Sequence, residues 1–484
     1  MSVKQFDLAE AARLVMIETG FLPDLPAAAQ REAARLSPAA PGGPGVRDLR
    51  SLLWSSIDND DSRDLDQIEV AERLSHDLVR VRVGIADVDA LVHRDSAVDQ
   101  YASHNTCTVY TGARIFPMLP ESLSTDHTSL GEGVDRLAVV VEMDIDREGV
   151  VRAHDVYRAA VRNHAKLAYD SVGAWLEDHG SAPSKVAASA PLQEQLRLQD
   201  AAAQALKKLR HEHGALDLET IEARAVVRDG TVTSIELTKK SRARALIEDF
   251  MIAANGAMAQ FLDGHGVSSI RRVVKSPERW ARIVTLAHEC GDVLPDEPSS
   301  RALSEFLDRR KQAAPDTFAD LSLSVVKLMG PGEYALELAG QPHDGHFGLA
   351  VVDYTHSTAP NRRFADLVTQ RLVKAVLEKT ACPYSNEDLA GVAAHCTQKE
   401  NDARKVERTT RKQAAAVFLG DRIGEEFDAI VTGVADKGTF VRLLQPPAEG
   451  RVVTGERGLD VGDHVRVRLV ATEPRKGFID FVRA

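Results

Sequence analysis

The tail of the chain, residues 424–484, contains five short runs in which apolar and polar residues alternate, and this pattern limits the fold more than any other. The runs are separated by turn residues and lie at 427–434, 438–444, 450–453, 464–472 and 477–483. Alternation with a period of two is typical of strands that bury one face, and several short strands in so little chain favour a closed antiparallel barrel. We therefore expect a separate C-terminal domain built as a five-stranded barrel.

A linker rich in proline and glycine divides the remaining residues. Apolar residues recur at helical spacing in 5–20 and again in 27–36, and the sequence SPAAPGGPG at 37–45 then ends the pattern. This predicts a small helical N-terminal segment over 1–45. Its helices would form either a helix-turn-helix-like unit or an arm packed on the body.

Residues 46–420 mix strand and helix patterns without the regular alternation of a doubly wound sheet. Runs rich in β-branched residues predict strands, and apolar residues spaced by three and four predict helices. The strand-like runs are 51–58, 78–88 and 136–146, and the helical runs are 185–210 and 243–264. The fold class that follows is α+β, with a mixed α/β body followed by the barrel.

Composition limits the class of protein. The 484 residues are 44% hydrophobic, which is typical of a globular chain, and their formal net charge of -12 weighs against a protein that coats duplexes with a uniformly basic surface. No secretory signal or membrane span is predicted, because the N-terminus lacks a basic and apolar leader and long apolar runs are absent. We expect reduced thiols in a cytoplasmic protein, because no CxxC pair occurs among Cys107, Cys290, Cys382 and Cys396.

The segment IDNDDSRDLDQIE at 57–69 crowds six carboxylates together, with Arg63 as the one basic residue among them. Like charges this close repel, so a folded arrangement calls for a cation, and hard oxygen ligands suit magnesium or manganese rather than zinc. A solvated acidic loop is the alternative that the residues alone leave open, whereas an EF-hand calcium loop needs a glycine that this segment lacks. The carboxylates belong to Asp58, Asp60, Asp61, Asp64, Asp66 and Glu69.

A second polar segment, YTHSTAPNRRFADLVTQR at 354–371, places hydrogen-bond donors before a predicted helix that starts near Phe364. Arg362 and Arg363 directly precede that helix, and arginine pairs with phosphate in a bidentate manner. Hydroxyl groups and a helix N-terminus also bind phosphate. The segment is therefore either a phosphate site or a capped helix with two exposed arginines, and His356 is either part of that site or a core histidine.

A third feature is a basic stripe on the helix predicted around 400–418. Arg404, Arg408 and Lys412 are spaced by four residues and therefore share one face. Such a stripe is either a solvated helix face or the wall of a path for an RNA backbone.

In this order, the segments resemble the RNase II (RNB) family of 3′-to-5′ exoribonucleases. The acidic run 57–66 is similar to that family's metal-binding motif, and 354–367 is similar to its arginine motif. The resemblance implies an RNB catalytic domain over 46–420 and an S1 RNA-binding domain with the OB-fold over 424–484. Further similar blocks lie at 83–110, 114–130 and 135–146.

The resemblance implies that Asp58, Asp64 and Asp66 are the catalytic and metal-binding aspartates, with Asp66 the most critical for cleavage. Gln67 occupies the motif's fourth carboxylate position, a departure that replaces a charged ligand of the metal with a neutral one. Arg362 is implied to hold the scissile phosphate in the transition state.

The resemblance also implies contacts with RNA. Tyr110 matches an aromatic residue that stacks on bases near the 3′ end, and such stacking tolerates any base. Glu248 and Glu407 match acidic residues near the RNA path. With the polar and basic groups described above, the expected RNA-binding set is Tyr110, Glu248, His356, Thr358, Arg362, Arg363, Arg404, Glu407 and Arg408.

The implied activity is processive hydrolysis of single-stranded RNA from its 3′ end to nucleoside 5′-monophosphates, with two Mg²⁺ ions or, alternatively, Mn²⁺. The expected partners are RNA 3′ ends and no membrane, and we expect a monomer. Well-known bacterial members carry two cold-shock barrels before the catalytic domain, and we expect the 45 preceding residues to be too few for them. That expectation favours tolerance of partly structured RNA.

Two other functions fit the same residues. A non-catalytic RNA-binding regulator that kept the RNB fold would need the barrel and the basic stripe but no complete metal site, and Gln67 favours it. A metal-dependent phosphatase with an appended barrel would release phosphate from small esters and ignore RNA. The three aspartates and Arg362 together favour the nuclease.

Overall fold

The computed structural model describes residues 6–219, 223–228, 231–237, 240–341, 344–435 and 438–484. Its helices are α1 (Leu8–Glu18), α2 (Ala27–Ala33), α3 (Ala97–Asn105), α4 (Tyr169–Leu176), α5 (Ser184–Ala187), α6 (Ala190–Glu212), α7 (Arg242–Gly264), α8 (Trp280–Glu289), α9 (Ser300–Ala313), α10 (Pro315–Met329), α11 (Phe364–Glu378) and α12 (Asn386–Leu419). Its strands are β1 (Val46–Asp48), β2 (Trp54–Asp58), β3 (Gln67–Arg73), β4 (Leu78–Ala86), β5 (Val109–Tyr110), β6 (Ile115–Phe116), β7 (Asp135–Asp146), β8 (Val151–Ala168), β9 (Ala223–Arg228), β10 (Thr231–Leu237), β11 (Ser269–Val273), β12 (Glu333–Glu337), β13 (Glu426–Ala435), β14 (Gly438–Leu443), β15 (Glu449–Thr454), β16 (His464–Glu473) and β17 (Phe478–Arg483).

The main sheet has the strand order β1-β8-β2-β3-β4-β7, and β7 also pairs with β8, so the sheet closes on itself. Closure is made by β8, whose 18 residues pair with β7 over 151–162, with β1 over 158–160 and with β2 over 163–168. The pairs of β8 with β1 and β2 are parallel, whereas the other pairs are antiparallel. The β-branched residues of β3, β4 and β7 supply the core of this sheet, as their patterns predict.

Two long helices cover the sheet. α6 packs on β3, and α7 packs on β7 and β8. Gln195 of α6 fixes this contact, because its amide donates to the carbonyl of Leu53 and accepts from the N–H of Ala71. A serine side chain caps the N-terminus of each helix, Ser189 in α6 and Ser241 in α7, as is typical of helix N-termini.

The N-terminal segment packs on the body. In α1, Ala12 and Met16 are buried against Ala403 and Val406 of α12. The side chain of Lys399 on α12 also donates to the carbonyl of Gly20. Of the two arrangements that the sequence left open, the described residues show helices docked as an arm.

The tail forms a closed barrel with the strand order β13-β14-β15-β17-β16, so the predicted five-stranded OB-type barrel is confirmed. Its interior is a separate hydrophobic cluster that includes Phe427, Val441 and Phe481. The α+β fold class is confirmed as well. The long helix α12 leads from the body directly into the barrel, and its last turns, at Ala416 and Leu419, pack into that cluster.

The patterned segments of the body appear as elements at or near the predicted places. The run 185–210 is an exception in detail, because α5 ends at Ala187 and α6 begins at Ala190. Pro191 near the start of α6 explains this break, since proline favours the first turn of a helix and cannot continue a preceding one. Each helix that the structure describes is too short or too polar to span a membrane.

Candidate active site

The first element of the site is the end of β2. Asp58 is the last residue of this strand and lies opposite Ala168, the last residue of the parallel strand β8. Because the two strands end together, the loop after Asp58 and the start of α4 meet at one edge of the sheet. Oδ1 of Asp58 accepts hydrogen bonds from the N–H of Asn59 and the hydroxyl of Ser62.

The acidic loop is fastened to the protein at its far end. Ser129 donates its hydroxyl to the carbonyl of Arg63 and accepts from the N–H of Leu65. The carbonyl of Leu65 accepts from the N–H of Leu130, and that of Asp66 from the N–H of Ala86. These bonds fix the end of the loop and place the side chain of Asp66 in the interior, where the residue is only 2% exposed, whereas Asp60 and Asp61 earlier in the loop are exposed.

Asp66 meets the second polar segment. Its Oδ1 accepts from the N–H of Asn361 at 2.9 Å, and its Oδ2 lies 3.3 Å from Nε of Arg362. Burial raises the pKa of Asp66 to about 7, and repulsion from Asp64 and Asp366 adds to this effect, whereas Arg362 opposes it. The two motifs that sequence reasoning linked by resemblance are therefore in direct contact.

Asp64 and Tyr110 lie beside this pair. Burial raises the pKa of Asp64, the charge of Asp58 adds to the rise, and Arg362 and the hydroxyl of Tyr110 lower it. The Tyr110 side chain still faces solvent, since the residue is 41% exposed. Tyr110 reaches the aspartates because the chain just before it is fixed to the arginine segment, with the N–H of Thr108 donating to the carbonyl of Arg362.

The two neighbouring arginines have different surroundings. The side chain of Arg362 is 46% exposed and faces Asp66, so it can contact a phosphate. Arg363 instead donates to Oδ1 of Asp366 at 2.7 Å and approaches the buried hydroxyl of Thr358. Arg363 and Thr358 therefore stabilise the start of α11. Their polar groups are engaged in these contacts and are not free to bind RNA.

His356 lies in an aromatic cluster. Its Nδ1 is 2.8 Å from the hydroxyl of Tyr334, and its ring makes edge contacts with Tyr334 and Tyr354. Burial lowers the pKa of His356 well below its usual value, and the charges of Arg363 and Arg272 add to this. The ring is therefore neutral, and its contacts are those of a buried core residue, which matches the core-histidine alternative.

The remaining predicted RNA-binding residues lie at different distances from the site. Glu407 accepts a hydrogen bond from the N–H of Tyr110 at 3.3 Å and so borders the aspartates. On α12, Arg404 pairs with Glu400, and Arg408 is exposed. Glu248 is exposed on α7 and lines a cavity of about 260 Å³, which Arg244 also lines.

Sequence reasoning missed two residues near Asp58, Tyr169 and Arg244, and it listed Glu69 among the acidic residues without assigning it a role. Tyr169 directly follows β8. Burial raises the pKa of its hydroxyl, and the charges of Asp58 and Glu69 add to the rise. The guanidinium of Arg244 lies 4.3 Å from the centre of the Tyr169 ring and donates to Oδ1 of Asn59 at 2.9 Å. No local pattern marks Tyr169 or Arg244, because their position depends on the parallel pairing of β2 with β8. The alternation in β3 that places Glu69 on the same face as Gln67 is the one usable signal.

The predicted metal ligands line the site without forming a closed cluster. Within the described ranges, no group of three or more His, Cys, Asp and Glu side chains is arranged to hold a metal ion. Protein donors take up part of the carboxylates instead, with Asn59 and Ser62 on Asp58 and Asn361 on Asp66. The oxygen donors nevertheless fit a hard divalent cation. Burial and mutual repulsion destabilise the ionised forms of the aspartates, and a bound cation would offset both effects.

Comparison with known protein families adds to this geometry. The profile of the RNB domain matches residues 46–379, and that of the RNase II-type exonuclease C-terminal S1 domain matches residues 425–484. The chain belongs to the RNB family. The RNB domain contains both the acidic loop and Arg362, and the S1 domain coincides with the barrel.

Individual RNB relatives agree. Ribonuclease R of Thermotoga maritima is 30% identical over 474 residues, which cover 90% of this chain and 65% of the relative, so the chain spans slightly less than two thirds of that protein. The solved Mycoplasma genitalium RNase R in complex with ribose methylated single-stranded RNA has a TM-score of 0.89 at 21% identity, over 99% of this chain and 78% of that one. Yeast Ssd1, a pseudonuclease, has a TM-score of 0.72 at 17% identity, over 92% of this chain and 55% of that one. At these identities the structural matches show the fold.

Proposed function

We propose that this RNB-family protein is a 3′-to-5′ exoribonuclease that uses magnesium to hydrolyse single-stranded RNA to nucleoside 5′-monophosphates. The observation that carries the proposal is the contact between Arg362 and Asp66, with Nε lying 3.3 Å from Oδ2. A guanidinium beside clustered carboxylates can neutralise the charge that builds on a phosphodiester during hydrolysis. The half-exposed side chain of Arg362 leaves room for a phosphate to approach it.

In the proposed mechanism, Asp58, Asp64, Asp66 and the carbonyl of Gln67 would hold the divalent ions. When bound, such ions supply an activated water and stabilise the leaving oxygen. Arg362 turns from Asp66 to the scissile phosphate.

The exposed ring of Tyr110 stacks on the terminal base, and the interaction of its hydroxyl with Asp64 keeps the ring next to the reacting phosphate.

The proposed substrate is a single-stranded RNA 3′ end, degraded processively by a monomeric cytoplasmic enzyme. The relatives named Ribonuclease R support the exoribonuclease assignment, and the single-stranded RNA in the M. genitalium structure supports the substrate. The four cysteines are free thiols, which suits a reducing compartment. The barrel and the exposed Arg408 on α12 are the proposed contacts for the RNA upstream of its 3′ end. We also propose the division into a helical segment (1–45), the RNB domain (46–420) and the S1 domain (424–484).

A non-catalytic RNA-binding regulator is the second candidate. Two observations favour it: the neutral Gln67 at a proposed ligand position, and the shared fold with Ssd1, which is named a pseudonuclease. The regulator would bind RNA through the barrel and leave it intact.

The test is a time course on a 5′-labelled oligoribonucleotide with Mg²⁺, run with wild type, Asp66→Asn and Asp60→Asn. We expect a ladder that shortens by single nucleotides with wild type, because a 5′ label reports removal from the 3′ end. Asp66→Asn should abolish the ladder while keeping RNA binding. Asp60 is exposed in the same loop, so Asp60→Asn should behave as wild type.

Each alternative has its own outcome in that experiment. Binding without shortening by wild type would establish the regulator. Release of inorganic phosphate from small esters, with RNA untouched, would establish a phosphatase.

A further inference from the structure

A short segment between β6 and β7 contacts both halves of the candidate active site. The segment consists of Thr128, Ser129 and Leu130, and all three residues are buried. It directly follows a single turn of π-helix, Leu123–His127, which the N–H of Thr128 closes by donating to the carbonyl of Leu123 at 3.0 Å. Single π turns are rare in proteins and are frequent at functional sites.

On one side, the segment holds the acidic loop. The hydroxyl of Ser129 donates to the carbonyl of Arg63 at 2.7 Å and accepts from the N–H of Leu65 at 3.1 Å. The N–H of Leu130 donates to the carbonyl of Leu65 at 2.9 Å. Because these bonds lie on both sides of Asp64, they fix the backbone that carries a proposed metal ligand.

On the other side, the segment holds the turn that carries the arginine. The hydroxyl of Thr128 donates to the side-chain oxygen of Asn361, which is also buried. The backbone N–H of Asn361 donates to Oδ1 of Asp66, and Arg362 is the next residue in the chain. Thr128 therefore holds the residue that both fixes Asp66 and precedes Arg362.

The segment is itself anchored to the main sheet. The side-chain amide of Asn163 on β8 donates to the carbonyl of Leu130 and to the hydroxyl of Ser56 on β2, each at 3.0 Å. Ser56 lies two residues before Asp58, so the segment and the end of β2 share one support. A support of this kind makes the segment a fixed reference for both halves of the site.

We propose that Thr128 and Ser129 are positioning residues that set the distance between the carboxylates of the acidic loop and Arg362. This inference rests on the proposed function. Ser129 acts through the backbone on both sides of Asp64, and Thr128 acts through Asn361. A displacement of about 1 Å caused by a change outside the reacting groups can cost roughly 10²-fold in rate, so two hydroxyls are enough to control cleavage.

The experiment measures kcat and KM for shortening of a labelled oligoribonucleotide with Mg²⁺. Thr128→Val and Ser129→Ala remove one hydroxyl each, and Thr128→Ser keeps the hydroxyl. We expect kcat to fall roughly 10- to 100-fold in the first two variants while KM changes little, and Thr128→Ser to retain most of the wild-type kcat. Wild-type kcat in both Thr128→Val and Ser129→Ala would overturn the proposal.

The matched control is Tyr157→Phe, which removes a hydroxyl that donates to Glu142 at 2.8 Å in the half of β8 far from Asp58. It should keep the wild-type kcat, although it also loses a hydrogen bond within the main sheet. A loss of kcat in Tyr157→Phe as large as that in Thr128→Val would show a general effect of weakened packing and would overturn the proposal.

A double variant distinguishes one bridge from two separate contributions. If the segment connects the two halves, breaking either end releases the connection. Thr128→Val combined with Ser129→Ala should then lose about as much kcat as the more impaired single variant. Independent contributions would multiply the two losses, and that result would overturn the bridge.

Amide hydrogen exchange in EDTA tests the positions without relying on activity. Exchange of the Asn361 N–H should speed up in Thr128→Val, and exchange of the Leu65 N–H should speed up in Ser129→Ala. Unchanged exchange at both amides would overturn the inference. If neither variant folds, as judged by circular dichroism, both residues are structural and the inference is overturned as well.

Failure of the proposed function gives a different result. Wild type that leaves RNA intact would overturn the nuclease, and the exchange rates would then still decide whether the segment holds the two halves. Wild type that shortens RNA, with unchanged kcat and exchange in the variants, would overturn the positioning role alone.

Discussion

At the scale of single residues, the proposed phosphate site rests on the contact between Arg362 and Asp66. Asp66 is fixed by the backbone of Asn361 and hidden from solvent, while Arg362 keeps nearly half of its side chain exposed. The carboxylate is therefore rigid and the guanidinium is free to change partner. This division suits a residue that binds a transient charge.

Arg362→Lys is expected to lower kcat by roughly 10²- to 10³-fold, because the lysine lacks the planar fork that pairs with phosphate oxygens. RNA affinity and the melting temperature should change little, since Arg362 is half exposed. Single-turnover cleavage of a labelled oligoribonucleotide measures the effect. Arg301→Lys, a change of an exposed arginine on α9, is the control, and unchanged kcat in Arg362→Lys would contradict the assigned role.

The raised pKa of Asp66 predicts a pH-dependent stability of the metal-free protein. Burial raises this pKa from an ordinary value near 4 to about 7, so between these values the folded protein binds a proton that the unfolded chain has released. The resulting stabilisation is fully present below about pH 4 and is lost as the pH rises through about 7. Each tenfold difference in proton affinity between the folded and unfolded chains corresponds to about 1.4 kcal/mol of unfolding free energy.

Urea unfolding in EDTA at pH 5 and pH 8 measures this dependence. The unfolding free energy should fall from pH 5 to pH 8 in wild type. Asp66→Asn should remove the part of this fall that Asp66 contributes, because the amide does not titrate. A variant whose stability falls as steeply as that of wild type would show that Asp66 is not the group responsible.

At the scale of elements, the start of α11 positions the arginine segment. Asp366 in the first turn is fully buried and accepts from the N–H of Ala359 and from Arg363. The segment therefore turns back on itself before the helix begins, and Arg362 projects from that turn. The chain before Tyr110 pairs with the same turn, so one element orients both side chains.

Asp366→Asn is expected to destabilise the protein by about 3 kcal/mol, because Arg363 loses the partner of its largely buried charge. Chemical denaturation measures the change in the free energy of unfolding. The cleavage rate should also fall, because the turn that carries Arg362 loses order. Glu378→Gln at the other end of α11 breaks an exposed pair with Arg158 and should cost less than about 1 kcal/mol. Equal effects of the two substitutions would contradict this account.

At the scale of the whole molecule, several contacts join the barrel to the body. Helix α12 runs into the barrel, and Arg442 of β14 pairs with Asp320 of α10 at 3.0 Å. Near this junction, Phe440 of β14 points outward and is 38% exposed. With a net charge of -12, the proposed RNA binding would depend on local contacts such as exposed aromatic rings.

Phe440→Ala is expected to weaken RNA binding by roughly 5- to 150-fold, the loss of one stacked base, while the cleavage rate at saturating RNA stays near that of wild type. Fluorescence anisotropy with a labelled oligoribonucleotide measures the affinity. Val434→Ala, an exposed aliphatic change on β13, is the control. Equal affinity of Phe440→Ala and wild type would place the RNA elsewhere.

The linear order of amino acids was enough to predict the strongly patterned elements and the succession of the motifs. Alternating runs indicated the five strands of the barrel, and the spacing of apolar residues indicated α6, α7 and the helices of the N-terminal arm. These signals are local, because the period of a strand or a helix is set by neighbouring residues. The acidic loop and the arginine segment could be recognised for the same reason.

Which side chains meet was settled by the three-dimensional packing alone. The parallel pairing of β2 with β8 places Asp58 beside Tyr169. The turn before α11 directs Arg362 to Asp66 but Arg363 to Asp366. The same packing leaves Glu69 without a partner, although in the sequence it looks like one more acid of the loop. Register, burial and strand closure depend on residues far apart in the chain, so no local pattern encodes them.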